Sequence, residues 1–277
     1  MREYRLLIDA VDQRGLILKV AEVLFKHNIN IDRNSEYVDE DSGKFFMRSV
    51  ISGDLDTNKT VEELKVILPR NSHVKITENK KKDMVILATK ESHCLGDILI
   101  KYQSDELDAN ILAVISNYEN LSKLVRKFDI PYHHISHEGL NRIEHELRIT
   151  KVIKSYSPEL IILAKYMRIL TQSFVQEFKQ QVINIHHSFL PAFIGANPYK
   201  QAHERGVKII GATAHYVTDD LDEGPIIAQD VVGVDHNYSW RDMQKSGRDM
   251  EKVVLSRAIA LALEDKIFVH GNKTVIL

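Results

Sequence analysis

From Met84 onward the chain alternates short β-prone runs with helical stretches, and this alternation constrains its fold more than any other feature. The runs are Met84–Ala88, Ile111–Ile115, Glu159–Leu163 and Val182–His186, with Tyr132–Ile135 as a minor strand. Between them Leu95–Tyr102, Leu121–Phe128, Asn141–Ser155 and Thr171–Phe178 carry helical spacing. Strands separated by helices need crossover connections, so the pattern predicts a largely parallel sheet covered by helices on both faces. No G-x-G-x-x-G or Walker loop accompanies it. With 12 glycines in 277 residues, the chain has little material for loops that cradle phosphates.

The first eighty residues read differently. Tyr4–Val11, Asn30–Val38, Lys44–Ser52 and His73–Thr77 are strand-like, and Leu16–His27 and the stretch to Leu68 are helical. Leu16, Val20, Val23 and Leu24 recur at helical spacing. Asp39–Gly43 is a polar hairpin loop, and Thr60 with Glu63 forms a candidate capping box for the second helix. The order βαββαβ is the ferredoxin-like arrangement. The basic run Asn79-Lys80-Lys81-Lys82-Asp83 reads as a solvated linker. The expected organisation is therefore one unit over 1–80 and a second over 84–277.

Bulk properties narrow the function classes. A net charge of −2 offers no general attraction to nucleic acid or to an anionic membrane surface. No run approaches the roughly 18 apolar residues of a membrane span, and the N-terminus lacks a signal-peptide pattern. Cys94 is the sole cysteine, which precludes an intramolecular disulfide and suits a reducing cytosol. Its surroundings supply no obvious base, so packing at a helix start is the better reading than nucleophilic chemistry. His133, His134, His186, His187 and His203 lack metal-ligand spacing, and no metal is expected.

The chemistry concentrates after residue 182. In Val182-Ile183-Asn184-Ile185-His186-His187 the period of two places Asn184 and His186 on one face and Ile183 and Ile185 on the other. Ligands of open parallel sheets bind beyond the carboxyl ends of strands. A buried Asn and His without partners cost on the order of 1–3 kcal/mol each; they are either a satisfied core pair or groups that a substrate satisfies. Ser188-Phe189-Leu190-Pro191 follows, then Gly195 and Pro198. A further strand ends at Tyr216-Val217, before the acidic loop Thr218–Pro225. His215 either lines a pocket or orients that loop. Asp219, Asp220 and Glu223 read, as charges, like a solvated loop surface.

Asn184-Ile185-His186, Ser188-x-Leu190-Pro191 and His215-x-Val217-x(4)-Asp222-x-Gly224-Pro225 resemble the signature of the folate-dependent formyl transferase family, which includes the transformylases of purine synthesis and of initiator tRNA. In the first unit, Asp12, Gly15 and Leu16 at the strand-to-helix turn and Asn28-Ile29-Asn30-Ile31 resemble the ACT family of small regulatory domains. The combined expectation is an N-terminal ferredoxin-like (ACT) domain followed by a Rossmann-like, largely parallel α/β formyl transferase domain.

The resemblance implies that Asn184, His186 and Asp222 are catalytic, with His187 and His215 in support. An Asn amide and a His N–H suit an oxyanion, and a carboxylate beside an imidazole suits proton traffic. It implies that folate lies against Met167, Arg168, Ile169 and Leu170, with Thr218 and Asp219 closing the same pocket. It implies an amino-acid effector such as glycine or methionine near Asp12, Gly15, Leu16 and Asn30, and a homo-oligomer.

The outcome of the chemistry rests on other stretches. Thr89–Asp97 stands where the purine transformylases have a glycine-rich phosphate loop, yet it has one glycine and carries Glu91. His187 stands where those enzymes have proline. The chain runs out through Gly271-Asn272 with no tRNA-binding module expected. Together with the ACT-like unit these features imply hydrolysis of 10-formyltetrahydrofolate to tetrahydrofolate and formate in the cytosol. The formate would feed purine synthesis and balance one-carbon pools, and the folate is substrate, so no cofactor is called for. The alternatives are formyl transfer to a small amine and a non-catalytic amino-acid sensor.

Overall fold

The computed structural model describes residues 2–192 and 197–277; Gly195 of the sequence signature lies outside them. The chain divides into two compact units. The first comprises residues 1–80 with Glu264–His270 and Thr274–Leu277, and the second comprises Lys81–Leu263 with Gly271–Lys273.

In the first unit β1 (Arg2–Val11), α1 (Leu16–Lys26), β2 (Asn30–Asp39), β3 (Lys44–Gly53), α2 (Thr57–Ile67) and β4 (His73–Glu78) follow in the expected order. They form a four-stranded antiparallel sheet, β2-β3-β1-β4. Leu16, Val20, Val23 and Leu24 are the buried face of α1, as their spacing requires.

Two readings need correction here. Thr60 and Glu63 do not cap α2. The helix starts one turn earlier, where the Asp56 side chain accepts from the Lys59 N–H at 3.1 Å; Asp is itself a favoured N-cap. Thr60 is instead buried, and Glu63 accepts from Lys26 and lies 3.1 Å from the His27 ring nitrogen. Most of the C-terminal segment, Glu264–His270 and Thr274–Leu277, does not belong to the second unit. The buried Arg48 guanidinium donates to the Glu264 carbonyl at 2.7 Å, Arg5 lies 3.2 Å from Asp265, and Phe268 meets Phe46 edge to face. Buried cations need such partners, and nothing local in sequence announces ones more than two hundred residues away.

The second unit holds β5 (Lys82–Ala88), α3 (His93–Gln103), β6 (Ala109–Ser116), α4 (Ser122–Val125) with a 3-10 turn to Phe128, and β7 (Tyr132–His134). Then come α5 (Arg142–Tyr156), β8 (Leu160–Ala164), α6 (Gln172–Glu177), β9 (Val182–His186), α7 (Pro198–Arg205), β10 (Ile209–Tyr216), β11 (Ile226–Gly233) and α8 (Trp240–Leu263). Its seven-stranded sheet has the order β11-β10-β9-β8-β5-β6-β7. β5 to β9 are parallel, and β10 runs antiparallel to both neighbours. Because β5 lies between β6 and β8, the connections leave its two sides in opposite directions, which opens a crevice beyond the carboxyl ends. The central strands are buried on both faces: β8 is wholly buried from Leu160 to Ala164. No helix among the described residues is long and apolar enough to cross a membrane.

Candidate active site

β9 delivers Asn184 and His186 to the carboxyl edge of the sheet, with Ile183 and Ile185 buried on the opposite face. The antiparallel register of β10 sets His215 directly across from Asn184. The loop after β10 then returns Asp222. Gly224 permits that return: a Cβ there would lie 1.8 Å from the Tyr216 carbonyl oxygen. The Tyr216 N–H also donates to the Pro225 carbonyl at 3.0 Å. The Gly-Pro pair thus locks the loop, and Asp222 takes φ 57°, a left-handed conformation that Asp tolerates better than most residues.

The four polar side chains form one connected set. His186 Nδ1 lies 3.3 Å from Asp222 Oδ2, and His215 Nε2 lies 3.7 Å from Asp222 Oδ1. Asn184 Nδ2 is 3.2 Å from His215 Nε2, and His215 Nδ1 is 2.9 Å from the Tyr216 carbonyl. A carbonyl only accepts, so His215 Nδ1 carries a proton, and its Nε2 sits between the Asn184 amide and Asp222. His215 therefore both lines the pocket and orients its neighbours. Burial alone would raise the Asp222 carboxyl, but hydrogen bonds and charge from His186 and His215 outweigh it and hold the carboxyl well below the usual range. By the same acceptor logic His186 Nδ1 donates to Asp222. Its Nε2 is buried and has no partner among the described residues, so the cleft it lines is left with an unmet donor or acceptor.

That cleft measures about 360 Å³ and is lined by Asn184, His186, His187, His215, Thr218, Asp219 and Asp222, together with Met167, Arg168, Ile169 and Leu170. All the residues expected to act on or hold the substrate converge on it. The 167–170 loop is braced at both ends. The Met167 N–H donates to the Thr89 hydroxyl at 2.9 Å, and the Thr171 N–H donates to the buried Glu146 carboxylate at 2.9 Å. Asp219 accepts from the amides of Gln172 and Gln176, so it is tethered to α6 and not simply solvated. His187 stacks on His186 with ring centroids 4.9 Å apart. Burial, then the Lys165 ammonium, pushes its imidazole down to about 4.

Sequence reasoning overlooked several supports. Thr213 donates to the Ser188 carbonyl and accepts from the Leu190 N–H, and the Gln229 amide donates to the Leu190 carbonyl. These bonds fix the Ser188–Leu190 turn. It also overlooked Glu251, whose signal was legible: it falls on the apolar stripe Met243, Gly247, Glu251, Val254, Leu255, Ala258 of α8. A carboxylate on such a stripe must find partners.

The Thr89–Asp97 stretch is not an open loop, because α3 begins at His93. Glu91 is engaged there, 3.1 Å from Arg248 Nε and 3.4 Å from His93 Nδ1. Cys94 is buried, and burial pushes its thiol far up, in keeping with a packing role. His93, Cys94 and Glu251 bring metal-ligand atoms within 4.8 Å of one another. The Glu251 carboxylate of this group also holds the Lys165 ammonium at 3.3 Å.

In the first unit, Asp12, Gly15 and Leu16 line a cleft of about 350 Å³ with Gln13, Glu36 and Tyr37. Gly15 has φ 84° and heads α1. Asn30 does not line this cleft. It stands exposed at the start of β2, its amide 2.6 Å from Asp32, because the β2 register carries that end of the strand toward Ser52.

Comparison with known proteins gives two family matches: residues 82–259 match the formyl transferase family and residues 4–69 the ACT domain family. The chain is 52% identical over 272 residues to a formyltetrahydrofolate deformylase from Haemophilus influenzae, covering 98% of each chain. The crystal structure of a formyltetrahydrofolate deformylase from Pseudomonas syringae superposes with a TM-score of 0.96 at 43% identity, over 100% of this chain and 95% of that one. A phosphoribosylglycinamide formyltransferase from Coxiella burnetii aligns with 71% of this chain and 94% of its own at 30% identity and a TM-score of 0.67.

Proposed function

From the premise that the chain belongs to the formyl transferase family, in its ACT-bearing formyltetrahydrofolate deformylase branch, we propose that it hydrolyses 10-formyltetrahydrofolate to tetrahydrofolate and formate. The observation that carries this reading is the cleft in which Asn184, His186 and Asp222 meet, with His186 Nε2 buried and without a partner among the described residues. Amine transfer, the same-fold alternative, finds no support in the names of the full-length relatives.

In the proposed reaction the pterin lies along Met167–Leu170, held by backbone groups that Thr89 and Glu146 brace. Thr218 and Asp219 close the same side. The formyl oxygen faces His186 Nε2 and the amide of Asn184. With Asp222 ionised and holding the Nδ1 proton, protonation at Nε2 makes an imidazolium whose N–H points into the cleft. Water adds to the formyl carbon, and the new oxyanion accepts from Asn184 and His186, each such donor being worth about 2.7–4 kcal/mol. Asp222 orients the water and takes its proton directly on the carboxylate. N10 then receives that proton from Asp222, the C–N10 bond breaks, and formic acid leaves and ionises to formate. His187 shapes the water site, and His215 holds Asn184 and Asp222 in register.

The ACT-like unit supports amino-acid regulation, with glycine or methionine at the cleft of Asp12, Gly15 and Leu16. Units of this kind often pair edge to edge, which favours a homo-oligomer. A sole, buried cysteine suits work in a reducing cytosol, where the released formate would supply purine synthesis. The deciding test is purified enzyme with 10-formyltetrahydrofolate and no amine. Stoichiometric formate and tetrahydrofolate are expected, and absence of formate release rejects the hydrolytic reading.

A further inference from the structure

Behind the reactive cleft the second unit carries a buried charge network that the chemistry above does not use. Glu251 of α8 is 1% exposed. One of its oxygens accepts from the Tyr199 hydroxyl at 2.8 Å. The other lies 2.6 Å from His93 Nε2 and 3.3 Å from Lys165 Nζ. Burial would raise this carboxyl, but these donors and the ammonium outweigh it and hold it at about 2. Lys165 itself is 5% exposed, adopts φ 59°, and lines the cleft beside His187. A lysine held in a left-handed conformation and out of water is placed, not tolerated.

The network is also tightly seated. Tyr199 packs on Gly247 so closely that a Cβ there would fall 2.2 Å from its hydroxyl. Its ring lies 6.3 Å from that of His187. Among the described residues, this side of the cleft is lined by His187 and by Lys165, whose ammonium is held by Glu251.

We propose that Lys165, anchored by Glu251, Tyr199 and His93, sets the choice of nucleophile: the network fills the wall beside His187 and holds a fixed cation there, so that water and not an amine reaches the formyl carbon. The inference rests on the hydrolytic reading and assigns its selectivity. An aliphatic amine is mostly a cation at neutral pH, and a fixed like charge in a partly desolvated site excludes it. Water is neutral and small, can accept from the ammonium, and can donate to an uncharged His187 ring. Lys165 is a specificity-determining residue, and Glu251, Tyr199 and His93 are positioning residues that act through it.

The test gives the full-length protein 10-formyltetrahydrofolate with glycinamide, which is cationic, or hydroxylamine, which is not, and measures formate against formylated amine. Wild type should give formate alone with glycinamide. The double variant Lys165→Met/Glu251→Gln removes both charges without orphaning either. Its hydrolysis should fall by about tenfold or more while formylated glycinamide appears. Lys165→Arg should retain formate as sole product. A folded, folate-binding double variant with wild-type hydrolysis and no amine product overturns the inference. Should that variant fail to fold, Tyr199→Phe keeps the ring on Gly247 and removes only the anchoring hydroxyl. A rise in the amine share supports the proposal, and an unchanged share rejects it. Failure of the wild type to release formate rejects the hydrolytic reading instead, and is thereby told apart.

Discussion

The two units each carry a cleft of similar volume, about 360 Å³ in one and about 350 Å³ in the other, yet their chemistry differs. The second unit's cleft is walled by buried ionisable groups, with His186, His215 and Lys165 all under 7% exposed. One of these, His186, has a ring nitrogen without a partner among the described residues. The first unit's cleft has polar residues, Asp12, Gln13 and Glu36, that all stay in water, and its buried members, Leu16 and Phe45, are apolar. Size does not distinguish reaction from recognition. Desolvated charge and an unmet hydrogen bond do, because a group kept from water interacts far more strongly with what enters.

The sharpest way to break this contrast is to remove charge from the reactive cleft. Asp222→Asn should lower kcat by about 10²–10⁴-fold with folate affinity little changed, measured by formate release and direct binding. Wild-type turnover would leave the buried carboxylate without a catalytic role. Asn184→Ala should cost about 10²–10³ in kcat. An effect confined to KM would show that the amide holds the ground state and not the oxyanion.

Next in size are effects on the fold of the cleft. Gly224→Ala drives a methyl into the Tyr216 carbonyl and should cost about 1–3 kcal/mol of stability, with turnover reduced because Asp222 is displaced. A thermal melt and a rate measurement together check this. His187 then tests the electrostatics. Its folded-state value of about 4 lies below the ordinary 6.5, so between these values the unfolded chain binds the extra proton and the folded protein does not. Its stability contribution is whole above pH 6.5 and is lost as pH falls toward 4, by at most about 3–4 kcal/mol. His187→Asn should flatten that part of the stability profile.

The smallest effect on basal turnover is expected in the first unit. Gly15→Ala strains a left-handed residue by about 1–2 kcal/mol and should leave effector-free formate release unchanged while abolishing any response to glycine or methionine. A change in basal rate with an intact effector response would invert the comparison.

Much of this contrast was legible beforehand. The βαββαβ order, the β9 strand with Asn184 and His186 on one face, and the helical stretch Asn141–Ser155 that becomes α5 all follow from local period. The helix of Pro198–Arg205 escaped notice, since it is short, polar and headed by a left-handed Asn197. The cap of α2 was misplaced by one turn because two adjacent cap signals, Asp56 and Thr60, compete in the sequence. That Asn30 does not line the cleft of Asp12, Gly15 and Leu16, and that Glu264–His270 and Thr274–Leu277 join the first unit, depends on pairing with distant residues.

Sequence by itself determined the two units, the alternating sheet and the identities Asn184, His186 and Asp222, because side-chain periodicity and turn chemistry act over a few residues. Only the tertiary structure decided that His215 holds Asn184 and Asp222, that His186 Nε2 has no partner among the described residues, and that Lys165 is buried against Glu251. Those outcomes depend on the register of β9 with β10 and on the seating of α8 against Tyr199. Desolvation and pairing are properties of the packed neighbourhood, and no local stretch of chain encodes them alone.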